Sequence, residues 1–211
     1  MMSVASLPRS ITLSICEESA LNDQLQQPTQ QPAAPAAQAK LKQIQSVYDP
    51  LQDRLLVRFS TTDNAEFPLW FTRRFVQLIW KPMVQILASG IAAEATLSPQ
   101  AQQATLGFEH QAALSKANFS SKYEESAERW PLGKSPLLVV TLEIKKTSED
   151  HFTFSFRPRE GLALNVVMQR DTIHSLCKLL IEASEKGDWQ LGLRLVSHPQ
   201  SIPMHTSPTL Q

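Results

Sequence analysis

The chain has 211 residues, 42% of them hydrophobic and 19% charged, with 20 Lys plus Arg against 20 Asp plus Glu and a net charge of zero. That length holds one domain or two small ones, and the balanced charge removes the usual electrostatic argument for nucleic acid or an anionic membrane surface. Cys16 and Cys177 are the only cysteines, too few for a disulfide framework, and no run approaches the roughly 18 apolar residues of a membrane span.

Residues 1–45 read as a disordered tail. Gln24 to Gln38 is mostly Gln, Pro and Ala and cannot bury enough apolar surface to offset chain entropy. Ile11 to Cys16 is too short and too polar for the apolar region of a signal peptide. With the sparse cysteines, this makes a cytoplasmic location the expectation.

Residues 46–117 read as a hairpin followed by helices. Leu55, Val57 and Phe59 alternate with Arg54, Leu56 and Arg58, as in a half-buried strand. Thr61 to Asn64 is turn-prone, because Asp and Asn tolerate left-handed backbone angles. Phe67, Leu69 and Phe71 then alternate against Glu66, Pro68 and Trp70. Pro68 donates no hydrogen bond, which predicts a sheet edge or a bulge. Thr72 is a helix N-cap ahead of Phe75, Val76, Ile79, Met83, Ile86 and Leu87 at helical spacing, and Pro82 predicts a kink or a break in that helix. Ser98-Pro99 starts a second helix whose apolar face runs through Ala101, Ala104, Thr105, Phe108 and Ala113.

Arg73 and Arg74 sit in a first helical turn, where the dipole and free N–H groups prefer anions. They either lie along the surface, pairing with Asp63 or Glu66, or form an anion or partner site. The stretch is similar to uncharacterised proteobacterial proteins with the pattern D-R-L-L-x-R, T-x-D and L-W-x-T-R-R. Asp53 to Arg58, Thr62-Asp63 and Leu69 to Arg74 carry the likeness. It spans about 40 residues, the length of one supersecondary unit, and implies no activity.

Residues 118–135 read as a linker and residues 136–196 as a second block. Leu137 to Ile144 is almost continuously apolar, Phe152, Phe154 and Phe156 alternate with polar residues, and Leu162, Leu164, Val166 and Met168 alternate again. This predicts a three-strand meander. Asp171 caps a helix carrying Ile173, Leu176, Cys177 and Leu180. Gly187 ends it, and Trp189, Leu191, Leu193 and Leu195 suggest a final strand before a disordered tail at 197–211. Phe67 to Trp80 can be laid over the stretch from Leu164 in pattern, which fits either a degenerate duplication or a common motif met twice. Repeated strand-and-helix units resemble those of the Pur family of single-stranded nucleic-acid-binding proteins in architecture alone.

Catalytic patterns are missing. Gly133-Lys-Ser135 lacks the upstream glycine and the following helix of a phosphate-binding loop. His174 and Cys177 share a helix side, but zinc needs further ligands, and the apolar spacing of Cys177 favours core. Arg157 and Arg159 flank one turn and Lys145 and Lys146 another, a candidate patch for single strands if the Phe residues were open to stack bases. The expectation is therefore an α+β protein of two strand–helix units, without cofactor or metal. It is read as a non-enzymatic interaction or adaptor protein that self-associates as a homodimer, with nucleic acid as the alternative partner and Arg73, Arg74, Arg157 and Arg159 as candidate binding residues.

Overall fold

The computed structural model describes residues 10–15, 40–92, 97–119 and 122–195. In chain order the elements are β1 (Ser10–Ser14), β2 (Leu41–Asp49), β3 (Arg54–Thr61), β4 (Glu66–Thr72), α1 (Arg73–Ala92), α2 (Pro99–Lys116), β5 (Leu137–Lys146), β6 (His151–Pro158), β7 (Leu164–Gln169) and α3 (Arg170–Lys186). The fold is α+β. One sheet runs β2-β3-β4-β5-β6-β7, with β1 paired to β5 off that path, and every pairing is antiparallel except β4 with β5. Among the described residues no helix is long and apolar enough to cross a membrane.

The alternation read from the sequence places the core. Leu55, Val57 and Phe59 of β3, Leu69 and Phe71 of β4, and Phe152, Phe154 and Phe156 of β6 are buried in one cluster with the inner faces of α1 and α3. The Phe59 and Phe156 rings lie 5.2 Å apart and Phe71 and Phe156 5.6 Å apart. In a flat sheet β3 and β6, three spacings apart, would stand about 14 Å from one another. The sheet therefore curls until these strands face each other across the core.

Several expectations are corrected. Two strands fall inside the segment read as a disordered tail, β1 and the first half of β2. Their short or interrupted apolar alternation hides them, because a strand covered on one side needs few apolar residues. The other tail residues, 1–9 and 16–39, lie outside the described residues, as do 197–211. β4 is interior, not an edge. Thr61 donates its N–H to the Ala65 carbonyl at 3.0 Å. Hydrogen-bonded and non-bonded pairs alternate along an antiparallel ladder, so the backbone of Pro68, opposite Arg58, turns away from β3. On that far side Glu66 N–H donates to Arg129 O at 2.9 Å and Trp70 stands opposite Leu138. Pro68 falls in the gap between, where no donor is needed.

Thr72 caps α1 as expected, its Oγ accepting from Phe75 N–H at 3.2 Å. The helix does not break at Pro82. Ile79, Met83, Ile86 and Leu87 are all buried on either side of it, at roughly 1.5–3 kcal/mol each. That outweighs one lost backbone bond. In α2, Ser98 caps as read, but Leu106 and Ala113 form the buried face while Phe108 is 75% exposed. Helix α3 starts at Arg170 with Gln169 as an N-cap lacking a side-chain bond, so Asp171 lies in the first turn and is not the cap.

No final strand forms at 189–195. Asp188, Gln190 and Gly192 take left-handed φ of 49°, 51° and 60°, which no ladder accommodates. Trp189 is buried, donating its Nε1–H to Asp53 Oδ1 at 2.7 Å. That bond, with a second from Tyr48 Oη at 3.0 Å, holds the Asp53 carboxyl below the ordinary carboxylate range. Residues 122–130 lie along β2–β4 in extended form. Lys42 pairs with Glu124 at 2.8 Å, Arg58 with Glu125 at 3.0 Å, and Arg129 with Asp63.

Candidate functional site

The outermost strand of the path is β2. Since Thr61, Phe59, Val57 and Leu55 turn their backbone groups to β4, the residues between them turn to β2. Thr62 N–H donates to Lys40 O at 2.9 Å in keeping with this. On β2, then, Gln45 and Val47 bond to β3, while the N–H and C=O groups of Ile44 and Ser46 point outward. Among the described residues none of these outward groups is hydrogen-bonded.

A groove of about 600 Å³ runs along this edge, between β2 from Leu41 to Ser46 and the facing ends of α2 and α3. That volume lies in the range of ligand sites, about 300–1,000 Å³. Ala113 and Phe119 form one wall and Thr172, Ser175 and Leu179 the other. Gln45 Oε1 and Ser46 Oγ, on opposite faces of β2, are buried without a hydrogen-bond partner among the described residues. Buried polar groups are ordinarily satisfied, and leaving one unsatisfied costs about 1–3 kcal/mol. The charged residues of the rim cancel: Lys42 with Glu124, and Lys116 with Asp171 at 3.1 Å. Lys178 stands over the Phe119 ring at 5.2 Å. Further along β2, Tyr48 packs so tightly against Gly187 at the end of α3 that a Cβ there would stand 2.7 Å from the ring.

The second half of the sheet has a corresponding edge. Moving 97 residues along carries Arg73, the first residue of α1, to Arg170, the first of α3. The same shift carries the pairs Leu55↔Phe71 and Phe59↔Phe67 of β3–β4 onto Phe152↔Met168 and Phe156↔Leu164 of β6–β7. It also carries Asp53 to Asp150, and Gly90 to Gly187. On β5, Leu142 and Ile144 stand opposite Phe156 and Phe154, as Ile44 and Ser46 stand opposite Phe59 and Val57. But the β5 edge is covered. Leu13 and Ile11 of β1 pair with Leu142 and Ile144, and Ile15 N–H donates to Val140 O at 3.0 Å. Among the described residues, β1 covers the β5 edge and no strand covers the β2 edge.

The four arginines singled out from sequence are not brought together. Arg73 and Arg74 are exposed at the start of α1, beside the β2–β3 turn, where Arg73 adds to the depression of the Asp53 carboxyl. Arg157 lies on β6 opposite Thr141, where it shares Glu143 with Lys145 at 3.7 and 3.0 Å, and Arg159 donates its N–H to Leu138 O at 3.0 Å. Phe152, Phe154 and Phe156 are fully buried and offer no face for stacking bases. His174 meets His110 rather than Cys177. Their Nδ1 atoms are 3.2 Å apart, so one donates and the other accepts. Burial, then the neighbouring His110, pushes His174 down to about 4, and burial raises the Cys177 thiol, leaving it unreactive. Among the described residues no three His, Cys, Asp or Glu side chains gather where they could hold a metal. Tyr123 Oη donates to the buried Glu66 at 2.9 Å, with Arg58 5.6 Å over its ring, and burial followed by Glu66 raises the phenol. This cluster fastens the 122–130 segment.

Sequence reasoning missed Ile44, Gln45 and Ser46. The available signal was Ile44-x-Ser46-x-Tyr48, one period-two face next to the hairpin. No family model, curated protein or solved structure matches the chain.

Proposed function

We propose that this is a non-enzymatic interaction protein built from two strand–strand–strand–helix units in tandem, which binds a partner protein in the groove along β2. The observation that carries the reading is the edge at Ile44 and Ser46, whose outward main-chain groups pair with no described residue and which borders a groove beside α2 and α3. An unpaired strand edge is a template for another chain, and soluble proteins ordinarily blunt it. The matching registers of β3–β4 and β6–β7 and the equal offset of the helices support the tandem units.

The test uses the immobilised full chain as bait in native lysate after nuclease treatment, beside Ser46→Pro. Proline at Ser46 removes an outward N–H and no bond to β3. The proposal expects a protein retained by the unaltered chain and lost from Ser46→Pro. Capture indifferent to that change, or recovery only of nucleic acid that Arg157→Glu with Arg159→Glu abolishes, overturns it.

A further inference from the structure

We infer that the β2 edge takes an extended, uncharged segment of another polypeptide in which aliphatic residues alternate with serine or threonine, laid antiparallel to Leu41–Ser46. The inference rests on the reading of the groove as a protein-binding site and names the chemistry of its occupant. Strand addition of this kind draws affinity from main-chain hydrogen bonds and specificity from alternate side chains.

The structure contains a worked case. β1 is Ser-Ile-Thr-Leu-Ser, lying antiparallel on β5 with Ile11 and Leu13 opposite Ile144 and Leu142. Ser46 and Ile44 on β2 face the same way, and no strand among the described residues pairs with them. β1 cannot serve both edges, because all five of its residues are paired with β5. Ile44 and Ser46 together offer about four outward main-chain groups, one donor and one acceptor each. Leu41, Ala113 and Leu179 line the groove where aliphatic side chains of the incoming strand would lie. The intervening serine or threonine residues would stand on the other face, with Gln45, as Ser10, Thr12 and Ser14 alternate with Ile11 and Leu13 in β1. The rim charges cancel in pairs, so nothing there recruits a charged segment. Because the groove borders β2 only from Leu41 to Ser46, the added strand is short.

The probe is a fluorescent peptide with the sequence of residues 10–15, its free end blocked, titrated with the full chain and read by anisotropy. Saturable one-to-one binding is expected, weakened at least tenfold by Ser46→Pro. N-methylation of the peptide at the residues matching Ile11 and Leu13 should abolish it. This second arm leaves the protein unaltered and holds even if Ser46→Pro fails to fold. Binding insensitive to Ser46→Pro but lost on Leu142→Pro would mean that the peptide exchanges with β1 on β5, and overturns the inference. So does absence of saturable binding. So does self-association lost with Ser46→Pro while the peptide fails to bind, since the occupant is then a second copy. If the peptide fails while a lysate protein is still captured in a Ser46-dependent way, the inference falls and the functional reading stands.

Discussion

Replacing Gly187 by alanine sets two effects of opposite sign against each other. Gly187 ends α3 at φ −83° and ψ −1°, a conformation alanine adopts freely. On backbone grounds alone the change should stabilise by about 0.4–1 kcal/mol, by restricting the unfolded chain. But a Cβ at this position meets Tyr48 Cε2 at 2.7 Å and Cδ2 at 2.8 Å, inside van der Waals contact. The ring has little freedom to retreat. Its hydroxyl donates to Asp53 Oδ1 at 3.0 Å, and it packs edge-on to Trp189 with centroids 6.1 Å apart. Overpacking of this sort costs about 1–3 kcal/mol, so the contact wins and the net loss is about 1–2 kcal/mol. Urea unfolding followed by tryptophan fluorescence should show a lower midpoint at unchanged slope, and Tm should fall by about 2–8 °C for a chain of this size. In a Tyr48→Leu background the penalty should shrink. A midpoint unchanged or raised by Gly187→Ala would refute the packing of Tyr48 against the end of α3.

Phe156→Ala removes the ring that touches both Phe59 and Phe71; chemical denaturation should show a loss of about 3–5 kcal/mol. His174 gives a pH dependence of definite sign. Its folded value of about 4 lies below the ordinary 6.5, so the unfolded chain binds the extra proton between those values. Stability is full above about pH 6.5 and falls as pH drops towards 4, by up to about 3 kcal/mol; urea midpoints at the two pH values should differ, and less so in His174→Gln. Tyr123→Phe deprives the buried Glu66 carboxylate of a donor 2.9 Å away. It should cost about 1–3 kcal/mol in thermal unfolding, and speed proteolysis of the 122–130 segment.

Strong alternation was legible where both strand and face are unambiguous. Leu55-x-Val57-x-Phe59 and Phe152-x-Phe154-x-Phe156 are strands with those residues inside, because a run of that composition can bury its apolar side only as a strand face. Turn residues were legible for the same kind of reason: Asn64 and Gly161 take φ of 57° and 94°. What failed depended on partners distant in sequence. Trp189 to Leu195 keeps strand-like alternation of burial. Yet Trp189 is held by Asp53, 136 residues away, and left-handed residues on either side prevent a ladder. Phe108 was expected inside α2, but the facing helix meets the Leu106 and Ala113 side. The candidate groove was the least legible feature. Its chemistry is backbone chemistry, set by which groups of Ile44 and Ser46 turn away from β3, and side-chain identity does not encode that. The arginines drew attention because charge is visible in sequence, although Arg73 stands near Asp53 and Arg157 near Glu143.

Residue-resolved amide hydrogen exchange on the full chain tests the central claim most directly. The account predicts fast exchange at Ile44 and Ser46, slow exchange at Gln45 and Val47 between and beside them, and slow exchange at Leu142 and Ile144, where β1 covers the corresponding edge. Uniform protection along β2, or exchange at Leu142 and Ile144 as fast as at Ile44 and Ser46, would contradict the picture of one covered edge and one open to a partner strand.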